Sequence, residues 1–167
     1  MEFLKVKIRK ATPDDAENIS HIWEVVCAER IYTAVSTPFT VKQESEYISS
    51  LSEREGIFVA EFNDKIVGFL SLDLWSKVID SFKHVCTIGT FVLPEWRGKG
   101  ISYILANHTF DFAKAKDYIK IVVYVRKGNE RAIKFYQSLG FHIKGELERQ
   151  VLIDNVYENE VFMEKFL

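Results

Sequence analysis

Cysteine is scarce in this 167-residue sequence: only Cys27 and Cys86 occur, far apart in the chain. Neither belongs to a Cys-x-x-Cys pair or has a histidine at metal-ligand spacing, so the sequence indicates neither a zinc site nor a disulfide framework. Isolated free cysteines usually behave as small buried hydrophobic side chains. We therefore predict structural burial for both cysteines and no bound metal.

An excess of one charge is also absent, since 22 Lys and Arg residues stand against 24 Asp and Glu residues, for a net charge of −2. A nucleic-acid-binding protein usually carries a basic excess, so we expect no nucleic-acid partner. No apolar run reaches the roughly 18 residues of a membrane span. Residues 1–5 also lack the continuous apolar core of a signal peptide. We expect no membrane partner and a cytoplasmic location.

What the sequence does contain is enough apolar material for a core: 47% of its residues are hydrophobic and 28% are charged. This composition excludes a disordered chain. The length suits one domain, residues 1–167, and leaves too little for two.

Alternating and helical patterns predict eleven elements in the order β-α-α-β-β-β-α-β-α-β-β. Thr40 and Gln43 form a capping box before the second helix, and Asn63-Asp64 suits a tight hairpin turn. Asn129 and Gly140 bracket the last helix as N-cap and C′ residue. The predicted ranges are β1 4–9, α1 13–32, α2 41–51, β2 57–62, β3 66–75, β4 85–92, α3 101–115, β5 119–125, α4 130–139, β6 141–147 and β7 156–166. This order indicates an α/β (α+β) fold with a mixed sheet and helices on its faces.

Glycine is sparse, with eight in the chain, yet Gly98 and Gly100 flank a single residue in the turn between β4 and α3. Residues without a Cβ permit a sharp turn and close approach of a ligand. The backbone amides from Gly98 to Tyr103 open α3 unpaired, and Arg97 and Lys99 lie beside them. We predict a phosphate site here. It is neither a Rossmann nor a Walker loop, because Tyr103 replaces the third glycine and no Gly-Lys-Ser/Thr follows.

Two motifs resemble the GCN5-related N-acetyltransferase (GNAT) family. Arg97-x-x-Gly100-x-Ser102 is similar to its pyrophosphate loop, Gln/Arg-x-x-Gly-x-Gly/Ala, with Ser102 where Gly or Ala is usual. Val92-Leu93-Pro94 matches the family's strand end before that loop. The segment 129–141 resembles the signature N-x-x-A-x-x-x-Y-x-x-x-G-F at every fixed position.

The resemblance implies a single-domain, mostly antiparallel central sheet with helices on both faces, in which β4 and β5 splay apart. Acetyl-CoA, as co-substrate, lies in the gap, and an amine attacks its thioester directly without a serine or cysteine nucleophile. Tyr136 is the implied catalytic acid, which protonates the departing thiolate. The implied cofactor-binding residues are Thr90, Phe91, Val92, Arg97, Gly98, Lys99, Gly100, Ile101, Ser102, Tyr103 and Asn129.

Some roles stay open at the level of sequence. Tyr136 also fits plain packing at helical spacing, and Asn129 also fits a plain helix cap. Some relatives carry a glutamate base at positions that here match Thr87 or Tyr124, so the general base is not identified. The candidates that could act through water are His21, Glu29, Asp73 and His84.

The C-terminal segment 154–163 resembles a D-x-x-Y…M ending of a family branch that acetylates amino acids, polyamines or protein N-termini, although Asn159 replaces an acid common there. We predict an acetyl-CoA-dependent N-acetyltransferase acting on a primary amine. A non-catalytic acyl-CoA sensor, a transferase of longer acyl groups and a nucleotide-binding module remain alternatives. The sequence leaves open whether the chain forms a homodimer.

Overall fold

The computed structural model describes residues 5–167. Leu4, counted in the predicted first strand, and the rest of residues 1–4 used for the leader-peptide prediction lie outside the described residues. The helices and strands are β1 (Lys7–Lys10), α1 (Ala16–Ala28), α2 (Val41–Ser50), β2 (Gly56–Phe62), β3 (Lys65–Leu74), β4 (Val85–Val92), α3 (Ile101–Ala115), β5 (Lys120–Arg126), α4 (Glu130–Ser138), β6 (His142–Ile153) and β7 (Val156–Phe166). The predicted order of elements is confirmed.

The strands form one seven-stranded sheet in the order β1-β2-β3-β4-β5-β7-β6. Within the described chain all neighbouring strands are antiparallel except β4 and β5. That parallel pairing covers only residues 85–87 of β4 against 120–122 of β5. Beyond Thr87, β4 still pairs with β3 up to Val92, but no strand pairs with its other edge. The predicted mixed sheet with a splayed β4 and β5 is confirmed.

Local sequence signals explain several element ends. The Thr40 hydroxyl accepts the Gln43 N–H at 3.2 Å, and the Gln43 side chain accepts the Thr40 N–H at 2.9 Å, so the predicted capping box is present. Asn63 and Asp64 have positive φ angles of 47° and 61°, which the two-residue hairpin between β2 and β3 requires. Such turns hold the register of the sheet and so fix which side chains face each side.

Helices cover both faces of the sheet. One core lies on the α3 and α4 face and includes Leu105, while the other lies on the α1 and α2 face and includes Ile22. Cys86 belongs to the first core and Cys27 to the second, and both are free and buried, as predicted. The two cores place α1 and α2 on one side of β4 and α3 and α4 on the other.

Several predicted boundaries differ from the structure by one to three residues, and two differ by four residues or more. Helix α1 ends at Ala28 instead of Tyr32, because Arg30 takes a positive φ of 61° and the carbonyls of Arg30 and Thr33 accept hydrogen bonds from Arg126. Strand β6 continues to Ile153 instead of ending at Leu147. Its register shifts between Leu147 and Val151, and the 11-residue β7 offers it partners along its whole length.

Candidate active site

A cavity of about 420 Å³ opens where β4 and β5 separate. Its walls come from the unpaired end of β4, the loop into α3, the start of α4 and Tyr32 from the connection after α1. Every predicted site residue except Lys99 lines it, namely Thr90, Phe91, Val92, Arg97, Gly98, Gly100, Ile101, Ser102, Tyr103, Asn129 and Tyr136. Lys99 instead places its ammonium over the ring of Trp96, 4.9 Å from the centroid.

The loop into α3 takes its shape from Gly98 and Gly100. Their φ angles are 74° and 82°, a left-handed conformation that side chains with a Cβ rarely adopt. A Cβ added at Gly100 would meet no atom within 4 Å. The backbone conformation, rather than a packing contact, therefore demands glycine at this position, and it leaves open space in front of the loop.

The amides of this loop form a row of unused donors. Among residues 5–167, no acceptor is within hydrogen-bond distance of the N–H groups of Gly98, Lys99, Gly100, Ile101 and Ser102. The Tyr103 N–H, which we predicted to be free, donates to the Gly100 carbonyl at 3.1 Å. Because the row lies at the positive end of the 15-residue helix α3, it favours an anion.

Arg97 is held by the protein itself. Its guanidinium donates to both carboxylate oxygens of Glu29 at 2.8 and 2.7 Å, and its Nε donates to the Val92 carbonyl at 2.9 Å. This bidentate pair joins the loop to the residue that follows α1. A phosphate contact from this side chain would have to use its two remaining N–H groups. Glu29, a base candidate in the sequence, is thus the partner of Arg97, a role that the sequence did not indicate.

Tyr136 reaches the unpaired edge of β4 from α4. Its hydroxyl donates to the Thr90 hydroxyl at 3.0 Å, and only 4% of the residue is exposed. Burial raises the pKa of Tyr136 to about 12, although the Thr90 contacts oppose the shift. The ring also packs against Phe135 and Phe141, so the packing interpretation is realised as well. At neutral pH the phenol keeps its proton and offers it at the cavity.

Asn129 forms two side-chain hydrogen bonds at the N-terminus of α4. Its Oδ1 accepts the Ala132 N–H at 3.1 Å, which confirms the predicted cap, and its Nδ2 donates to the Tyr32 carbonyl at 3.3 Å. The second bond holds the chain after α1 against the cavity. A contact between Asn129 and a bound ligand stays a prediction.

Only every second residue of β4 directs its backbone N–H and carbonyl groups toward the free edge of the strand. The Leu93 N–H donates to the Val67 carbonyl of β3, so odd-numbered residues of this strand direct their backbone groups toward β3. Thr90 and Val92 therefore direct theirs into the gap, whereas Phe91, which we expected there, contributes only its side chain. The Val92 carbonyl is already taken by Arg97. The Val92 N–H and the Thr90 carbonyl remain for a ligand, whereas the Thr90 backbone N–H lies close to the Tyr136 hydroxyl.

Of the four base candidates, only Asp73 lines a cavity. Glu29 is bound to Arg97, and His21 and His84 lie on the exposed surface. Asp73 lies opposite Thr87 in the β3–β4 register and accepts a hydrogen bond from the Tyr47 hydroxyl. Burial raises the pKa of Asp73, and the Tyr47 bond opposes the shift.

This second cavity, of about 430 Å³, lies between α1, α2 and β3. Among its lining residues, the sequence indicated a chemical role only for Asp73. Its lining consists of Trp23, Phe39, Gln43, Glu44, Tyr47, Ile57, Phe69, Ser71 and Asp73. Glu44 is 4% exposed and lies one helical turn before Ile48, on the buried stripe of α2. An acid on an apolar stripe is the signal that could have identified it.

Two further observations concern the described part of the chain. Residues 5–167 contain no group of three or more His, Cys, Asp or Glu side chains arranged to hold a metal ion. None of the helices there combines the length and apolar character needed to span a bilayer.

Comparison with known proteins adds family and fold. A model of the Acetyltransferase (GNAT) family matches residues 19–141. The uncharacterised N-acetyltransferase MJ1207 of Methanocaldococcus jannaschii is 36% identical over 93 residues, which cover 55% of this chain and 41% of that protein. Spermidine N(1)-acetyltransferase of Escherichia coli is 29% identical over 119 residues, which cover 71% of this chain and 61% of that protein. The chain thus spans less than two thirds of both relatives.

Solved structures share the architecture. An N-acetyltransferase from Staphylococcus aureus Mu50 superposes with a TM-score of 0.90 at 24% identity, covering 97% of this chain and 98% of that one. A phosphinothricin acetyltransferase from Sinorhizobium meliloti, solved with acetyl-CoA, gives a TM-score of 0.89 at 18% identity over 97% of this chain and 88% of that one. These likenesses show the fold.

Proposed function

Because the chain belongs to the Acetyltransferase (GNAT) family, whose reaction class is acetyl transfer, we propose that it transfers the acetyl group of acetyl-CoA directly to a primary amine of a small molecule or a protein N-terminus. The observation that carries this proposal is a single cavity that joins a free strand edge to a row of free amides. A molecule with an extended amide-containing arm and a pyrophosphate has the chemistry to use both.

The donor would bind along the unpaired end of β4. Its pantetheine arm would take the place of a strand beside Thr90 and Val92, since β5 has diverged from them. Its pyrophosphate would accept from the amides between Gly98 and Ser102 at the start of α3. Such a placement brings the thioester to the region of Tyr136.

In the proposed reaction the neutral amine attacks and forms a C–N bond, the C–S bond of the thioester breaks, and the amine proton passes to solvent. The Val92 N–H, free in the gap, supports stabilisation of the oxyanion, a kind of contact typically worth about 3–4 kcal/mol. Transfer of a proton from a phenol of pKa about 12 to a thiolate of about 8.5 in water is uphill. Tyr136 therefore acts through a hydrogen bond that strengthens as the thiolate forms, and completes the transfer if burial also makes that thiolate more basic.

The test is release of free CoA from acetyl-CoA in the presence of a panel of primary amines and peptides. Amine-dependent release with formation of the acetylated amine supports the proposal. Tight acetyl-CoA binding without release under any condition identifies a sensor instead. Competition between acyl chains of increasing length detects a longer-chain transferase, and ATP binding as tight as that of CoA identifies a nucleotide module.

A further inference from the structure

The second cavity adjoins the first across β4. Ser71, which lines it, places its Oγ 3.4 Å from where a Cβ on Gly89 would stand. Trp23, another lining residue, has its ring centroid 4.4 Å from that of Phe91, which lines the first cavity. The two cavities thus meet at residues 89–91 of β4, next to the proposed position of the thioester.

The walls of the second cavity are mostly aromatic. Trp23 packs edge-on against Phe39 and Phe69, with centroids 5.2 and 5.6 Å apart, and Tyr47 completes the lining from α2. Within the described chain its lining includes no lysine, arginine or histidine. Aromatic rings attract cations through their negative faces and also pack against alkyl chains.

One carboxylate oxygen of Glu44 has no hydrogen-bond partner in the described part of the chain. Its Oε2 is buried and has no hydrogen-bond donor among residues 5–167, and its carboxylate forms no ion pair with them. Burial raises the pKa of Glu44, while the Trp23 side chain opposes the shift. A buried polar atom without a partner is costly and rare in folded proteins, and a bound donor would remove the cost.

Asp73 adds a second carboxylate to the same lining. It accepts from the Tyr47 hydroxyl but forms no ion pair with a described residue. The nearby Lys77 ammonium lies 3.5 Å from Glu55, so the neighbouring buried carboxylate is the one that it pairs with. The cavity therefore has two carboxylates that form no close ion pair with residues 5–167.

Building on the proposed acetyl transfer, we propose that the second cavity binds the acceptor and that the acceptor is a diamine, with an alkyl spacer between the reacting amine and a second, cationic amine held by Glu44. Asp73 lies across from Thr87 of β4 and offers a second carboxylate to the same molecule. The spacer would pack against the rings of Trp23 and Phe69, which contact each other edge-on. Both amines of such a molecule supply N–H donors. The Glu44 Oε2 atom accepts a hydrogen bond from the second amine.

Other primary amines match this cavity less well. A free amino acid would bring its own carboxylate toward Glu44 and Asp73 and be repelled. A neutral-tailed monoamine would fill the aromatic walls yet leave the Glu44 oxygen without a donor. The charge pattern, rather than the cavity size, is what selects the diamine.

The experiment compares diaminobutane with butylamine at saturating acetyl-CoA. We expect kcat/KM at least tenfold higher for diaminobutane in the wild-type protein. Glu44→Gln keeps the shape but removes the charge, so it should raise the KM for diaminobutane at least tenfold and abolish the preference. Glu46→Gln, on the exposed side of the same helix, is the matched control and should retain the preference.

Equal kcat/KM for the two amines, or a preference that survives Glu44→Gln, would overturn the inference while leaving acetyl transfer intact. If no amine releases CoA, acetyl transfer fails and calorimetric titration with diaminobutane decides the inference alone. Binding at least tenfold tighter to wild-type than to Glu44→Gln protein then supports the cation site, and equal binding overturns it. Thermal unfolding of each variant establishes that it is folded.

Discussion

At the scale of single residues, Tyr136 combines an observed packing contact with the catalytic role proposed above. We expect Tyr136→Phe to lower kcat by about 10²–10³-fold and to change the KM for acetyl-CoA little, because the hydroxyl acts on charge that appears only as the thiolate leaves. The ring would still fill its place between Phe135 and Phe141. Steady-state kinetics with acetyl-CoA provide the measurement.

A second acyl donor controls for packing. A donor with a more acidic thiol needs less protonation, so the defect of Tyr136→Phe should shrink with it. Nearly full kcat with acetyl-CoA, when chemistry is rate-limiting, would show that solvent or another group protonates the thiolate.

Gly100 offers a paired test of the amide row. Gly100→Asp puts a carboxylate in open space before the amides, and Gly100→Asn puts a neutral side chain of the same shape there. Both share the strain of a φ of 82°, so their difference isolates charge. We expect acetyl-CoA to bind at least tenfold more weakly to the Asp variant than to the Asn variant. Equal affinities by calorimetry would rule out an anion at these amides.

At the scale of elements, the connection 29–40 between α1 and α2 is fastened to distant parts of the fold. Arg97 holds Glu29, Asn129 holds the Tyr32 carbonyl, and Arg126 donates to the carbonyls of residues 30 and 33 at 2.7 and 3.1 Å. Arg30 itself pairs with Asp154 in the β6–β7 turn. The connection forms a wall of the first cavity and leads into α2, which lines the second.

The Glu29–Arg97 pair should therefore affect both stability and donor binding. We expect Glu29→Gln to lower the free energy of unfolding by about 1.5–3 kcal/mol and to raise the acetyl-CoA KM severalfold, because the released guanidinium no longer fixes the loop. Glu24→Gln is the control, since Glu24 is exposed on α1 and lies 3.7 Å from His21 alone. Denaturant unfolding and kinetics give the two readouts, and a variant matching the control in both would contradict this role.

Local signals were sufficient for most elements. The capping box at Thr40, the Asn63-Asp64 turn and the two loop glycines act over a few residues, so the sequence alone predicts them. The partner of Arg97 lies 68 positions away at Glu29, and only packing brings them together. Glu44 lies on the apolar stripe of α2, a signal present in the sequence, but only the packing of α2 on the sheet shows that its Oε2 lacks a donor within residues 5–167.

At the scale of the whole molecule, buried carboxylates give the protein opposing responses to pH. Asp15 accepts two bonds of 2.8 Å from Arg9, which hold its pKa below the usual range. Its stabilisation is present above the unfolded pKa of about 3.9 and is lost as the pH falls through the folded value. We expect Asp15→Asn to be about 1.5–3 kcal/mol less stable at pH 7, with the gap closing under acid. A gap independent of pH in denaturant unfolding would contradict this.

Glu44 should show the reverse behaviour, because its pKa is raised by burial. The folded protein then favours the protonated form, and that contribution is full below the unfolded pKa and is lost as the pH rises through the folded value. Glu44→Gln should therefore be at least as stable as the wild-type protein at pH 7, and its advantage should fade toward low pH. Unfolding curves across this range provide the measurement, and a Gln variant less stable at pH 7 would show that the carboxylate already has a partner.

The parallel pairing between β4 and β5 spans only three residues, so this is the weakest strand pairing of the sheet. The two parts of the sheet, β1 to β4 and β5 with β7 and β6, are each held by longer antiparallel ladders, with register shifts in the β2–β3 and β6–β7 pairs. An extended molecule in the gap would hydrogen-bond through its amide groups to the unpaired edge of β4. It would thereby connect the two parts of the sheet. The rigidity of the contact between the two parts would then depend on whether that molecule is bound. The bound and free proteins would differ in rigidity along the boundary between β4 and β5.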